Sequence, residues 1–304
     1  MRTIDLLGLS SPEWSATEEG LWTSQYGASI QFQSQTAGTL SLRFAKHYPE
    51  SIWTLTVDGV DQEELIVPEQ VLDLHLQADH QYQLTLNQWQ SGQVAFWQGG
   101  LVIEDGAWSG DQNLQPIIDW QSSDYLTFVG DSIVAGEAMA GVNHDQHQPT
   151  QSFPSLVAKQ LQLPLNRIAY GGTGLTNRAP FQEPRAIDAL WQVGDGIARR
   201  RVHSSKVVVA YGINDANYGA TDQEFAFGLR VYLLELVKRF HEAHFYLLTP
   251  WNGAFAAIVA AEVARFTSFT VVPAHEWGIQ TRPYHPDGLA HQKIAAELVK
   301  ILED

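Results

Sequence analysis

The sequence contains no cysteine. Disulfides, thiolate metal sites and a cysteine nucleophile are thereby excluded. Positive charge is scarce: 18 Lys and Arg stand against 34 Asp and Glu, a formal net charge of −16. Binding to nucleic acid calls for clustered Lys and Arg, so nucleic acid is not an expected partner. The same imbalance argues against anionic membranes and polyanionic substrates. No stretch approaches the roughly 20 apolar residues of a membrane span. The N-terminal Met1–Leu9 carries one Arg, one Asp and no long apolar run. It does not read as a signal peptide, and the expectation is a cytoplasmic protein without a membrane partner. Internal repeats and low-complexity segments are missing too.

Core-forming material is present in quantity. The 304 residues are 44% hydrophobic and include ten Trp, thirteen Phe and ten Tyr. That is enough for one or two domains with sizeable cores. The first third has the grammar of short strands. Ala28–Gln33, Leu40–Ala45, Trp53–Val57, Val71–Leu76, Tyr82–Leu86 and Val94–Ile103 alternate or run apolar. Ala37-Gly38 and Asp58-Gly59 mark turns between them. Such spacing, without a helical period, predicts an antiparallel, jelly-roll-like β-sandwich over residues 1–118. The segment Glu104–Ser123, rich in Gly, Asp, Gln and Ser, reads as the domain edge.

From residue 119 onward apolar strands alternate with helices. Strands are expected at Tyr125–Val129, Leu165–Tyr170, Lys206–Tyr211, His244–Leu248 and Phe269–Val272. Helices are expected near Pro154–Leu161, Pro184–Val193, Asp222–Phe240, Ala254–Phe266 and Leu289–Leu302. This alternation predicts an α/β domain over 119–304 with a doubly wound parallel sheet, whose sites form at the carboxyl ends of the strands.

The candidate chemistry sits at those strand ends. Gly130-Asp131-Ser132 follows the first strand. A serine at a strand-to-helix turn is exposed, beside helix-start N–H groups that can meet an oxyanion. Gly171-Gly172-Thr173-Gly174 follows the second strand, and its glycines let a substrate oxygen approach backbone N–H groups. No Lys-Ser/Thr follows and the Gly-x-Gly-x-x-Gly spacing is missing, so nucleotide binding is the weaker reading. Gly212-Ile213-Asn214-Asp215 follows the third strand, where Asn214 can offer an amide N–H and Asp215 can tie down a loop. Near the C-terminus, His285 precedes Pro286 and the last helix, a position suited to a general base.

These four ordered blocks resemble the SGNH, or GDSL, hydrolase superfamily, and the resemblance spans about residues 125–300. It implies a three-layer, flavodoxin-like fold, Ser132 as nucleophile and His285 as general base. The implied oxyanion hole is the Ser132 N–H, a glycine N–H and the Asn214 side chain. Gly172 is preferred as the glycine, within Gly172-Thr173-Gly174-Leu175; Gly171 is the alternative. The superfamily places an Asp three residues before the catalytic His, where this chain has Arg282. Glu276 is nearby without a basis for assignment, and Asp287 is on the wrong side, so a Ser132–His285 dyad is predicted. His291, near the start of the last helix, is the runner-up base. A leading sandwich before such a domain is similar to carbohydrate esterase family 2, as is the turn at Val57-Asp58-Gly59. That likeness implies removal of acetyl groups from sugars, with no metal and no organic cofactor. The partner implied is a small-molecule or oligosaccharide ester. Lysophospholipase, thioesterase and non-catalytic carbohydrate binding are the rival readings.

Three further features complete the reading. Trp251 and Trp277 lie on the site side of the sheet and are candidate sugar platforms, against a core-packing role. His144-Asp145-Gln146-His147 pairs two His on a polar loop without a strong third ligand; it reads as a solvated loop rather than a metal site. Arg199-Arg200-Arg201 reads as the top of a solvated helix end.

Overall fold

The computed structural model describes residues 1–66, 69–89, 92–120, 122–139, 146–282 and 285–303. The chain forms two compact units. The first comprises Met1–Ser123 together with Gln192–Arg201, and the second Asp124–Trp191 with Val202–Asp304.

The first unit holds two antiparallel sheets. In one, the order is Ser15–Thr17, Gly20–Thr23, Leu101–Trp108, Gly38–Phe44 and Val71–Leu76, with Arg2–Thr3 pairing on Leu101–Trp108. In the other it is Gln115–Pro116, Ser29–Ser34, His80–Trp89, Ser51–Val57 and Val60–Ile66. Alternate residues point the same way from a strand. Leu40, Leu42 and Phe44 from the first sheet therefore join Ile30, Phe32, Trp53, Leu84 and Leu86 from the second in one core. The expected strand Val94–Ile103 is divided. Gln93–Gly99 is a helix between Gly92 at φ 89° and Gly100 at φ 56°, and the strand runs over Leu101–Trp108. Short apolar runs do not distinguish the two states, and here the flanking glycines decide. The segment expected as a domain edge carries this strand onward and adds Gln115–Pro116 beside Phe32 and Gln33.

The arginine run departs from its expected role. The helix Ala186–Trp191 is followed by an antiparallel hairpin, Gln192–Gly194 with Ile197–Ala198. Val193 packs with Trp22 and Val102. Arg199 is buried, donating to Gln25 Oε1 at 2.8 Å and to the Gln192 carbonyl at 3.2 Å. Arg200 donates to the carbonyls of Leu7 (3.2 Å), Ser10 (2.7 Å) and Ser11, and its guanidinium lies 4.9 Å from the Trp120 ring centre. Only Arg201 is exposed. The Leu7 carbonyl already accepts from Ser10 N–H and Oγ, and the Ser11 carbonyl from Trp14 N–H, so one guanidinium with five donors adds a charged donor to the turn that ends the Leu6–Leu9 helix.

In the second unit, five parallel strands lie in the order Leu165–Ala169, Leu126–Gly130, Lys206–Ala210, His244–Leu248, Phe269–Val272. Numbered along the chain this is 2-1-3-4-5, the flavodoxin-like order, whose switch point falls between the first and third strands. The helices Phe153–Leu161 and Gly288–Glu303 pack on each other and share a core with Leu126, Phe128, Val208 and Ala210. The helices Ala186–Trp191 and Ala256–Val263 both pack on Asp222–Arg239. Thr221 and Glu224 start that long helix with a reciprocal capping box. Thr127, Val129, Val207 and Val209 alternate with the first set and are buried as well, so the sheet is covered on both faces. Among the described residues no helix is long and apolar enough to cross a membrane.

Replacing Arg200 by Ala leaves three carbonyls without their charged donor. It should destabilise the first unit by about 2–3 kcal/mol, read as a lower urea midpoint. Arg201→Ala, at an exposed position, should move that midpoint by less than about 0.5 kcal/mol.

Candidate functional site

Strand register sets the site. Gly130 pairs with Ala169 on one side and with Ala210 on the other, so three strands end on one rung. Asp131-Ser132, Tyr170–Gly174 and Tyr211–Asn214 leave from that rung on neighbouring strands. At the first exit a side chain at 130 has no room. A Cβ on Gly130 would lie 2.3 Å from Val134 Cγ2 and 2.7 Å from the Ala210 carbonyl oxygen. The turn leads directly into the helix Ser132–Ala135, which the Asp131 carboxylate caps by accepting from Ile133 N–H at 3.1 Å. Burial pushes the Asp131 carboxyl up to about 7; the Ile133 N–H opposes this and the charge of Asp215 adds to it.

The second exit is a backbone cradle. Gly172 stands at φ +69°, and a Cβ there would meet the Phe181 ring at 2.3 Å. Phe181 N–H donates to the Gly172 carbonyl at 3.2 Å. The third exit holds this cradle in place. Asn214 Nδ2 donates to the Thr173 carbonyl at 2.8 Å, which leaves the second amide hydrogen for another acceptor. The Asp215 carboxylate accepts from Leu175 N–H (3.0 Å), Thr176 N–H (2.8 Å) and the Thr176 hydroxyl (2.7 Å). Burial raises the Asp215 carboxyl, and those three donors counter the effect. Gly212 makes the turn at φ +112°.

His285 reaches Ser132 from the loop before the last helix. Its Nε2 lies 2.9 Å from Ser132 Oγ, across 153 residues of sequence. An imidazole nitrogen at that distance can take the hydroxyl proton. Arg282 is exposed and offers no carboxylate. Asp287 accepts from Ala290 N–H at 2.8 Å and so caps the last helix. Glu276 is exposed on the turn Ala274–Trp277. His291 has a different setting. It is fully buried, stacks on Phe153 at 5.7 Å, and accepts from Phe153 N–H through Nδ1 at 3.0 Å. Burial pushes it down to about 3, Arg167 and His285 adding to the effect and Asp287 opposing it. A neutral, enclosed imidazole of this kind ties the last helix to the Phe153–Leu161 helix.

The two tryptophans differ. Trp251 is 5% exposed in the hydrophobic core, 6.1 Å from Phe153 and 6.2 Å from Trp277. Its burial favours the core-packing role of the two weighed for this residue. Trp277 packs at the edge of that core and is partly exposed. His147 is buried and accepts from Ala138 N–H through Nδ1 at 3.0 Å, so its surroundings are not solvent. His144 and Asp145 lie outside the described residues. Among the described residues no three His, Asp or Glu side chains come together as a metal site.

Two neighbours of the cradle have no counterpart in the sequence reading. Phe181 is 40% exposed with its ring against Gly172. Glu137 is buried beside Gly171. The signal for Glu137 was an acid inside the small, apolar run after Ser132. For Phe181 there was none, because its contact depends on how the loop folds back.

The His291 shift fixes a pH dependence of stability. The folded value, about 3, lies below the ordinary 6.5, so between them the unfolded chain binds more protons. Stability is present in full above about 6.5 and should fall as the pH drops, by up to ~1.4 kcal/mol per unit. Urea midpoints at pH 7 and pH 5 should show a smaller drop for His291→Gln than for the unaltered chain.

No family model and no curated protein sequence matches the chain. Solved structures do. A family two carbohydrate esterase from Cellvibrio japonicus aligns at TM-score 0.79 and 16% identity, over 99% of this chain and 97% of that one. One from Clostridium thermocellum, in complex with cellohexaose, aligns at TM-score 0.77 and 17% identity, over 97% and 98%. An acetyl xylan esterase, Est2A, from the rumen bacterium Butyrivibrio proteoclasticus aligns at TM-score 0.74 and 14% identity, over 100% and 98%. The similarity spans both units in each case, and the fold of this chain is that of the family two carbohydrate esterases.

Proposed function

We propose that the protein is a serine esterase acting on short acyl esters, with O-deacetylation of acetylated sugars or oligosaccharides as its reaction. The observation that carries this reading is the 2.9 Å contact between His285 Nε2 and Ser132 Oγ at the carboxyl edge of the parallel sheet. Ser132 Oγ attacks the acyl carbon while His285 Nε2 takes its proton. The ester C–O bond breaks, and the proton passes from His285 to the departing alcohol. Water then attacks the acyl-enzyme, giving its proton to His285, which returns one to Ser132 Oγ. Developing charge on the carbonyl oxygen is met by the N–H groups of Ser132 and Gly172 and by the second amide hydrogen of Asn214. Gly172 is favoured over Gly171 because the Gly171 N–H is engaged by Glu137.

The lack of a carboxylate at 282 supports a dyad. Trp277 is the remaining candidate to stack on a sugar ring, because it keeps exposed surface at the site side. The first unit, in this reading, is an accessory jelly-roll-like sandwich; its two antiparallel sheets around one core support that view. Of the rival esters, an acetyl group fits best with the relatives of this fold.

Labelling with a fluorophosphonate tests nucleophile activation before any substrate is known. The unaltered chain should be labelled and a folded Ser132→Ala variant should not. Hydrolysis of p-nitrophenyl acetate should vanish in Ser132→Ala, and Asn214→Ala should lower kcat by roughly 10²–10³. Activity should fall off beyond the butyryl ester in a chain-length series. A preference for long acyl chains would favour a lysophospholipase or thioesterase instead. Sugar binding without labelling would identify a non-catalytic protein.

A further inference from the structure

Beside the candidate oxyanion donors lies a carboxyl that the reaction above does not use. Glu137 follows Gly136, the cap of the Ser132–Ala135 helix, and its N–H donates to the Ser132 carbonyl at 3.0 Å. The residue is 8% exposed. Its side chain crosses to the next strand's exit. A Cβ placed on Gly171 would lie 2.4 Å from Oε2 and 2.6 Å from Oε1, so the carboxyl rests on the bare face of that glycine. The Gly171 N–H donates to the same carboxyl. Glu137 Oε1 has no hydrogen-bond partner among the described residues.

The position matters because the peptide between Gly171 and Gly172 is planar and rigid. Its orientation fixes where the Gly172 N–H points. Two successive glycines have the widest backbone freedom, so this peptide turns easily unless the peptides before and after it are held, which leaves it only the coupled rotation about Gly171 ψ and Gly172 φ. Phe181 N–H holds the following peptide through the Gly172 carbonyl, at 3.2 Å. Glu137 holds the preceding peptide through the Gly171 N–H and packs against the Gly171 face that the middle peptide would have to cross. We propose, on the esterase reading, that Glu137 is a positioning residue. It clamps Gly171 so that the Gly172 N–H stays aimed at the acyl oxygen while Ser132 attacks.

The clamp works in its protonated form. Burial pushes the Glu137 carboxyl up to about 8, the charge of Asp131 adds to this, and the Gly171 N–H opposes it. The other titratable groups of the cluster are on the third exit: Asp215, whose charge adds to the Asp131 shift, and Tyr211, which burial raises first and the charges of Tyr232 and Asp131 raise further. An ionised Glu137 would put negative charge against the backbone that must receive the oxyanion. Turnover is therefore lost as the pH rises through the Glu137 value and is retained below it.

The test uses the full chain and p-nitrophenyl acetate. Glu137→Ala should lower kcat at pH 7 by about 30-fold with KM within about threefold, because the donor is loosened and not removed. Glu137→Gln, which keeps the shape and an acceptor for the Gly171 N–H, should recover most of that loss. It should also lack the decline of kcat above pH 8 that the unaltered chain shows. Gly171→Ala, whose Cβ displaces the carboxyl, should cost a similar factor, and the double variant should be no worse than either single one. The clamp is overturned if Glu137→Ala turns over like the unaltered chain, or if Glu137→Gln is as impaired as Glu137→Ala. An inactive, unlabelled parent chain would instead count against the esterase reading. The clamp then has its own readout: the Gly171 amide hydrogen should exchange at least about tenfold more slowly in the parent than in Glu137→Ala, and equal rates would sink it.

Discussion

The candidate site depends on one rung of hydrogen-bonded residues, Ala169, Gly130 and Ala210, level across three parallel strands. Neighbouring strands lie about 4.8 Å apart, so the chain leaves the sheet at three points within about 10 Å of one another. Loops launched from one level stay close over their first residues. Ser132, Gly172 and Asn214 are two to four residues past the rung and share a small region without any long-range search. The side chains on the rung are a hydrogen and two methyls, and Gly130 has space for nothing more. A one-residue slip would exchange the faces of a strand and move its exit off the rung. Burial on both faces makes such a slip costly, which is how a hydrophobic sheet becomes a positioning device for polar atoms.

The loops beyond the rung have little regular structure, and buried acids organise them. Asp215 gathers Leu175 and Thr176, Asp131 caps the helix at Ser132, and Glu137 engages Gly171. Each carboxyl is raised by burial, and each recovers part of that cost through donors from the loop it holds. A residue that needs partners so strongly also specifies where its partners must be. Their protonation and the fold of the cradle are therefore coupled, and on the esterase reading their charge would oppose an oxyanion.

The strand ends were legible in the sequence because the strands themselves are unmistakable: Val207, Val208 and Val209 are an unbroken β-branched run, and Gly130 and Gly212 mark where such runs stop. The order of the four blocks then pointed to one edge of one sheet. What escaped was decided by long-range contacts. Val94, Phe96 and Trp97 fit either a strand or a helix, and Gly92 and Gly100 settle the matter through backbone angles that composition does not reveal. Arginines are usually solvated, yet Arg199 and Arg200 are drawn to carbonyl and amide oxygens some 170 to 190 residues away. Trp251 stands after a strand like a site residue but completes a cluster with Phe153 and Trp277. Phe181 belongs to the cradle only because its loop returns on itself, and Glu137 because its side chain crosses from the neighbouring strand's exit.

On the esterase reading, the exposed Arg282, three residues before His285, sets the chemical character of the proposed dyad. The usual orienting carboxylate has two tasks: to hold the imidazole in place and to stabilise the imidazolium that forms. Here the first task is met in part by the chain itself. Pro286 restricts the backbone after His285, and Asp287 anchors the start of the last helix through Ala290 N–H and, by its carbonyl, through His291 N–H. The second task has no carboxylate at 282 to perform it, and the buried acids Asp131 and Glu137 of the neighbouring exits are shifted toward their neutral forms. The proposed dyad, with no carboxylate at 282, would lean more heavily on the other pole of the transition state, the oxyanion. Donor geometry then matters more than in a complete triad. If the esterase reading holds, that is the physical reason for a cradle bordered by the Phe181 N–H on one side and the buried Glu137 on the other.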